Sequence, residues 1–146
     1  MLSRCSMIEL IFGHFFSALL FYLNHRFIFH TKLGNLKFIK KWKKVHILHH
    51  KHDYDSNWKK YALIPVMGWV AFSIITVLIA LVTTFYFAIG MLSYVILYEI
   101  IHYRIHSLPQ KNNTSQFHYD HHRKSPKHNF ATFWVFIDKA FGTYQK

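Results

Sequence analysis

The residues of this 146-residue chain best suited to chemistry are its thirteen histidines, set against a single cysteine. Two stretches share the pattern H-x-x-H-H: His46, His49 and His50 in "VHILHH", and His118, His121 and His122 in "FHYDHH". Positions i, i+3 and i+4 lie on one face of a helix, so each stretch is expected to aim three imidazoles at one place. His102 and His106 add an i, i+4 pair. His25 and His30 stand five apart, which turns an ideal helix by about 500°, or about 140° from alignment. They are expected to flank a frayed helix end and reach a shared site from two directions.

Imidazoles in such number suit a metal. Neutral imidazole binds iron, zinc, copper and nickel, and one ion takes at most about six donors. Ten rings therefore imply two ions, each with roughly one position left open for oxygen. Cys5 alone permits neither an intramolecular disulfide nor a thiolate zinc site. Carboxylates are scarce near the clusters. Glu99, three residues before His102, and Asp120, inside the last cluster, are candidates to accept a hydrogen bond from a ligand's second nitrogen and so fix its tautomer. The other histidines read as structural. His14 lies about 16 Å of helical rise from His25 and is expected to be a hydrogen-bonded core residue, with His52 and His128 outside the clusters or on the surface. No side chain reads as a nucleophile or general base.

These rings need a framework, and the framework is apolar. Hydrophobic residues make up 52% of the chain and aromatics 19%. The stretch from Ile8 to Leu23 predicts an anchor helix in preference to a signal peptide, because no A-x-A-like cleavage site follows it. Asn24 to Lys60 is basic and aromatic; after Gly34 and Asn35 it predicts an amphipathic helix at headgroup level. Ala62 to Ile101 holds one charged residue, Glu99, and fits two membrane helices joined near Thr83-Thr84. "SLPQKNNTSQ" reads as a loop, followed by a histidine-rich helix and an aromatic tail.

The charge pattern agrees. The net charge is +12, with ten basic residues between Arg26 and Lys60 and seven between Arg104 and Lys146. A forty-residue stretch with one charge excludes a basic nucleic-acid binder. A hairpin returns the chain to its starting side, so all the histidine clusters face one compartment, which the positive-inside rule makes the cytoplasm. The expectation is one all-α integral membrane domain over residues 1–146. It has about three transmembrane helices, an anchor plus a hairpin, capped by a helical, histidine-rich di-metal site on the cytoplasmic side.

The motifs resemble those of the fatty acid hydroxylase superfamily, the membrane di-iron oxygenases that include sterol desaturases, and within it the catalytic domain of fatty acid 2-hydroxylases. "HRFIFH" is similar to the first histidine box of that family. "HILHHKHDYDSNWKKYALIP" is similar to the second box with its acidic turn and proline. "YEIIHYRIH" matches a helix whose usual aspartate is Glu99 here. "FHYDHHRKSPKHNFATFWVFIDKAFGTY" is similar to the last box and the closing "FGT". The resemblance runs from about Leu20 to Tyr144 and implies that His25, His30, His46, His49, His50, His102, His106, His118, His121 and His122 are metal ligands. Three departures stand out: three membrane helices in place of the usual four, no fused cytochrome b5 domain within these residues, and Ile137 in place of a tryptophan, with Trp134 nearby.

What the resemblance implies is an O2-dependent lipid hydroxylase in a bacterial inner membrane or endoplasmic reticulum. It would use two iron ions, with zinc able to replace them in isolated protein, and electrons from cytochrome b5 or ferredoxin and its reductase. The same metals would serve a desaturase or a sterol- or carotenoid-type oxidase. A histidine-rich metal transporter or storage protein is the non-enzymatic alternative; it would spread ionisable residues through the spans, whereas here they collect at one end.

Overall fold

The computed structural model describes residues 3–53, 58–62, 64, 66–107 and 113–146. Among these described residues seven α-helices follow in order: α1 (Arg4–Leu23), α2 (Lys40–Lys51), α3 (Trp58–Ala62), α4 (Val66–Val82), α5 (Phe85–Ser107), α6 (Asn113–Arg123) and α7 (Val135–Ala140). No strand occurs among the described residues. The acidic turn at 54–57, Pro65 and the loop at 108–112 lie outside them. The end of the expected loop is helical, since α6 already begins at Asn113.

Local chemistry sets the boundaries. Ser3 caps α1, its hydroxyl accepting the Ser6 N–H at 3.1 Å, which satisfies a donor that the first helical turn leaves unpaired. The hairpin turns at Thr83-Thr84, as expected. The Thr83 hydroxyl donates to the Ile79 carbonyl at 2.7 Å, closing α4. The Thr84 hydroxyl accepts the Phe87 N–H at 3.2 Å, opening α5. Between α1 and α2 the chain passes through a π-helical turn, Asn24–Phe29, and a 3₁₀ turn, Lys32–Asn35.

The main packing is α1 against α5. A Cβ on Gly13 would collide with the Phe87 carbonyl, and one on Gly90 with the Leu10 carbonyl. The two backbones touch where both lack a side chain, as small residues allow between membrane helices. The buried core above this crossing comprises Ala18, Tyr22, Tyr94, Val95, Phe130, Ala131 and Ile137, so the tail is folded back onto α1 and α5. Ile137 occupies a buried place, and Trp134 packs beside it against Phe15, ring centroids 5.6 Å apart. Outward-facing residues of the long helices are apolar, among them Phe12, Leu78, Leu81 and Ile96.

Among the described residues, two helical stretches are long and apolar enough to cross a membrane, Arg4–Phe29 and Phe85–Ser107. The third span expected from the sequence, α4, has 17 residues, a rise of about 25 Å against a hydrocarbon core of about 30 Å.

Candidate metal centre

The upper ends of α1 and α5 carry histidines by continuation. His25 and His30 follow α1 through the π-helical turn. There the i→i+5 pattern makes residues five apart neighbours, so their rings lie 5.0 Å apart. The near-opposite directions expected of an α-helix do not arise. His102 and His106 occupy the last turns of α5. The helices α2 and α6 close over these ends.

The structure brings together all ten histidines singled out from the sequence, and it sorts them into two sets of five. One set is His25, His30, His46, His50 and His121; the other is His49, His102, His106, His118 and His122. In each set the potential ligand atoms all lie within 4.8 Å of one another. Neither H-x-x-H-H stretch aims at one place, as the spacing had suggested. His46 and His50 join the first set while His49 joins the second; His121 joins the first while His118 and His122 join the second. At about 100° per residue, positions i+3 and i+4 differ by about 100°, enough to serve separate centres.

Nitrogen positions test whether these rings fit metal ions. His30 Nε2 and His50 Nε2 lie 2.8 and 3.0 Å from His46 Nε2, and His106 Nε2 lies 3.0 Å from His118 Nε2. Metal–imidazole bonds of about 2.1 Å at right angles set two nitrogens about 3.0 Å apart. His25, His49, His121 and His122 each have a buried Nε2 with no hydrogen-bond partner, a costly state unless a ligand is supplied. On His25, His121 and His106 the opposite nitrogen is held. His25 Nδ1 donates to the Phe130 carbonyl at 2.6 Å, His121 Nδ1 to the His128 carbonyl at 2.7 Å and His106 Nδ1 to the Asp53 carbonyl at 3.0 Å. A carbonyl only accepts, so each Nδ1 carries the proton and each Nε2 presents a lone pair. The donor set fits two imidazole-bound cations.

Burial also keeps the rings uncharged. It lowers His30 from its ordinary value of 6.5 to about 2, helped by repulsion from His25, His50 and Lys43, and His50 to about 3, with His25 and His106 adding to the effect. His46, His49, His118, His121 and His122 are pushed well below the ordinary value, first by burial and then by neighbouring imidazoles. Neutral imidazole is the form that ligates.

Below the rings lies a cavity of about 200 Å³. His25, His46, His49 and His102 line one end; Phe72, Ile75 and Val95 line its apolar length between the helices.

The family model for fatty acid hydroxylase matches residues 10–143. The chain belongs to the fatty acid hydroxylase family. Among solved structures it is similar to full-length scs7p, in which only the hydroxylase domain is visible. The TM-score is 0.77 at 22% identity, with 100% of this chain and 58% of that one covered. The chain thus spans a little over half the length of that protein. No curated protein sequence matches it.

In this hydroxylase-family chain the two carboxylates picked out from the sequence do not touch the rings. Glu99 Oε1 accepts the Ile64 backbone N–H at 2.8 Å, so it ties the approach to α4 onto α5. Asp120 points along its own helix, to Gln116 Nε2 at 2.7 Å and Lys124 Nζ at 3.1 Å. The carboxylate at the site is Asp53, which sequence reasoning missed. It is 3% exposed, lies 3.3 Å from His122 Nδ1 off the line of a hydrogen bond, and pairs with Arg123 at 3.1 Å. Its signal was its place in "HHKHD", one turn beyond His49 and His50. His14 is hydrogen-bonded as expected, its Nδ1 2.9 Å from Ser93 Oγ, but it is half-buried rather than in the core. His52 stacks on Tyr61, and His128 meets the site through its backbone carbonyl.

Proposed function

We propose that this chain is a membrane di-iron oxygenase that hydroxylates a lipid acyl chain, in the manner of fatty acid 2-hydroxylases. In this reading α1, α4 and α5 cross the membrane, and the histidine cap faces the cytoplasm of a bacterium or of an endoplasmic reticulum. The observation that carries it is the meeting of two five-imidazole sets with one end of an apolar cavity. Both sets being all-nitrogen, with one donor fewer than an octahedron, suits iron with a position open to O2. Family membership supports the same assignment.

His25, His30, His46, His50 and His121 would hold one ion, and His49, His102, His106, His118 and His122 the other. Once bound, the iron pair supplies the two-electron oxidation of an unactivated C–H bond by O2. The residues of the chain do the rest. Phe72, Ile75 and Val95 bind an acyl chain and exclude water from it, and the cavity brings one end of that chain against the His25, His46, His49 and His102 rings. The carbonyls of Phe130, His128 and Asp53 hold the Nδ1 protons outward and keep the ligating lone pairs inward. Electrons come from an external carrier such as cytochrome b5 or ferredoxin, and the +12 charge supports an acidic partner.

Lipid mass analysis of cells with and without the gene tests the reading. A lipid acyl chain heavier by one oxygen is expected. A product lighter by two hydrogens would identify a desaturase instead, and an unchanged lipid profile with two tightly bound ions would favour metal storage.

A further inference from the structure

The two histidine sets are braced by different parts of the chain. Around the first set the brace is the tail. The carbonyls that hold His25 and His121 belong to Phe130 and His128, on a segment that no helix supports. Two of its residues, Asn129 and Thr132, have φ of 58° and 49°, a left-handed backbone that non-glycine residues rarely adopt without outside support. That support converges on Asp138, which is 3% exposed. Its carboxylate accepts the Phe130 N–H at 2.8 Å, the Ala131 N–H at 2.9 Å and the Thr143 hydroxyl at 2.7 Å. Because Thr143 gives its proton to Asp138, the Tyr22 hydroxyl must donate to Thr143, at 2.8 Å, and Tyr22 in turn accepts from Arg26 at 2.9 Å. A relay of one direction thus runs from α1 to Asp138 and on to the segment holding His25 and His121. Among the described residues this relay hydrogen-bonds no ring of the second set. Its brace is Asp53, through the carbonyl to His106 and the carboxylate beside His122.

We infer that Asp138 and Asp53 are positioning residues for separate metal ions: Asp138 for the ion at His25, His30, His46, His50 and His121, and Asp53 for the ion at His49, His102, His106, His118 and His122. This rests on the di-metal reading above and adds that the two sites are separately tuned. Neither carboxylate is a ligand. Each acts through imidazoles of one set only, so losing one should loosen one ion and leave its neighbour.

The test is the binding of cobalt(II), a coloured probe for nitrogen sites, to the purified full chain. The readouts are ions per chain and the visible spectrum. The wild type should hold two. Asp138→Asn should keep one tightly and bind the other about 10- to 100-fold more weakly, the usual consequence of removing an outer partner of a ligating histidine. Asp53→Asn should do the same at the other site, with a different residual spectrum. The double variant decides: it should hold neither ion tightly. One ion still tightly held in the double variant would overturn the inference, as would either single variant losing both ions together or losing none. If Asp138→Asn loses helical content, Tyr22→Phe, which removes only one relay hydroxyl, should weaken the same single ion. A wild type that binds no ion would instead remove the proposed function.

Discussion

The crossing of α1 and α5 and the histidine cap above it are built on opposite terms. At the crossing, order comes from side chains that are missing: Gly13 and Gly90 let two backbones touch. Polar contacts there are few, chiefly His14 with Ser93 and Glu9 with Thr84. In the cap, order comes from polar groups in excess: ten imidazoles, of which His25, His106 and His121 are held by carbonyls and His122 lies beside the Asp53 carboxylate. The crossing is nonetheless what spaces the cap. His25 sits just past the end of α1 and His102 near the end of α5, so the distance between the two sets of rings is inherited from the helix contact below. The lesson is one of hierarchy: damage to the crossing should remove both structure and site, whereas damage to the cap should remove the site alone.

The comparison predicts a graded series. The largest effect is expected for Gly13→Leu or Gly90→Leu. Each drives a side chain into a backbone carbonyl, an overpacking cost of about 3 kcal/mol or more, and should abolish both the folded protein, read as detergent-resistant helical signal, and metal binding. A folded, metal-bound Gly90→Leu would break the hierarchy. Next come His49→Ala and His121→Ala. These should preserve helical content while product formation falls by more than about 100-fold, beyond the effect of an outer-shell change; full activity in either would remove that ring from the ligand set.

A smaller, graded effect is expected from pH. His30 and His50 accept a proton near 6.5 in an unfolded chain but only near about 2 and about 3 when folded without metal. Below pH 6.5 the unfolded state therefore binds more protons, so stability falls with falling pH. Melting of the metal-free protein should be highest above about 6.5 and drop steadily toward about 3, while the bound ions are displaced over the upper part of that range. The smallest effect is expected for Asp120→Asn, whose partners lie on its own helix. A loss below about 1 kcal/mol, with cobalt stoichiometry unchanged, would sharpen the distinction between a carboxylate near the cap and one that serves it.

Much of this was legible in the residues. The hairpin turn at Thr83-Thr84 could be placed because forty nearly uncharged residues are too long for one helix and too short for three. The ten histidines stood out by clustering alone. What escaped were features set by geometry that no local pattern reports. The π-helical turn at Asn24–Phe29 has no signature that separates it from a frayed end, so the alignment of His25 with His30 was misread. The division of each H-x-x-H-H depends on two centres lying about 100° apart around one helix, which three shared-face positions conceal. The i, i+3 spacing of Glu99 from His102 points it toward the rings, but the Ile64 amide claims it. The role of Asp53 is hidden from local pattern because its partners, on α5 and α6, are distant in sequence.

The adjacent pairs His49-His50 and His121-His122 have a mechanical consequence. In each pair, consecutive residues of one rigid rod reach into different pockets, and His50 stacks on His122 with centroids 4.0 Å apart. The separation of the two centres is thereby gauged twice by helical pitch, once from each facing rod. A shift of either rod carries a piece of both pockets with it, whereas a change behind a single ring leaves the other pocket in place.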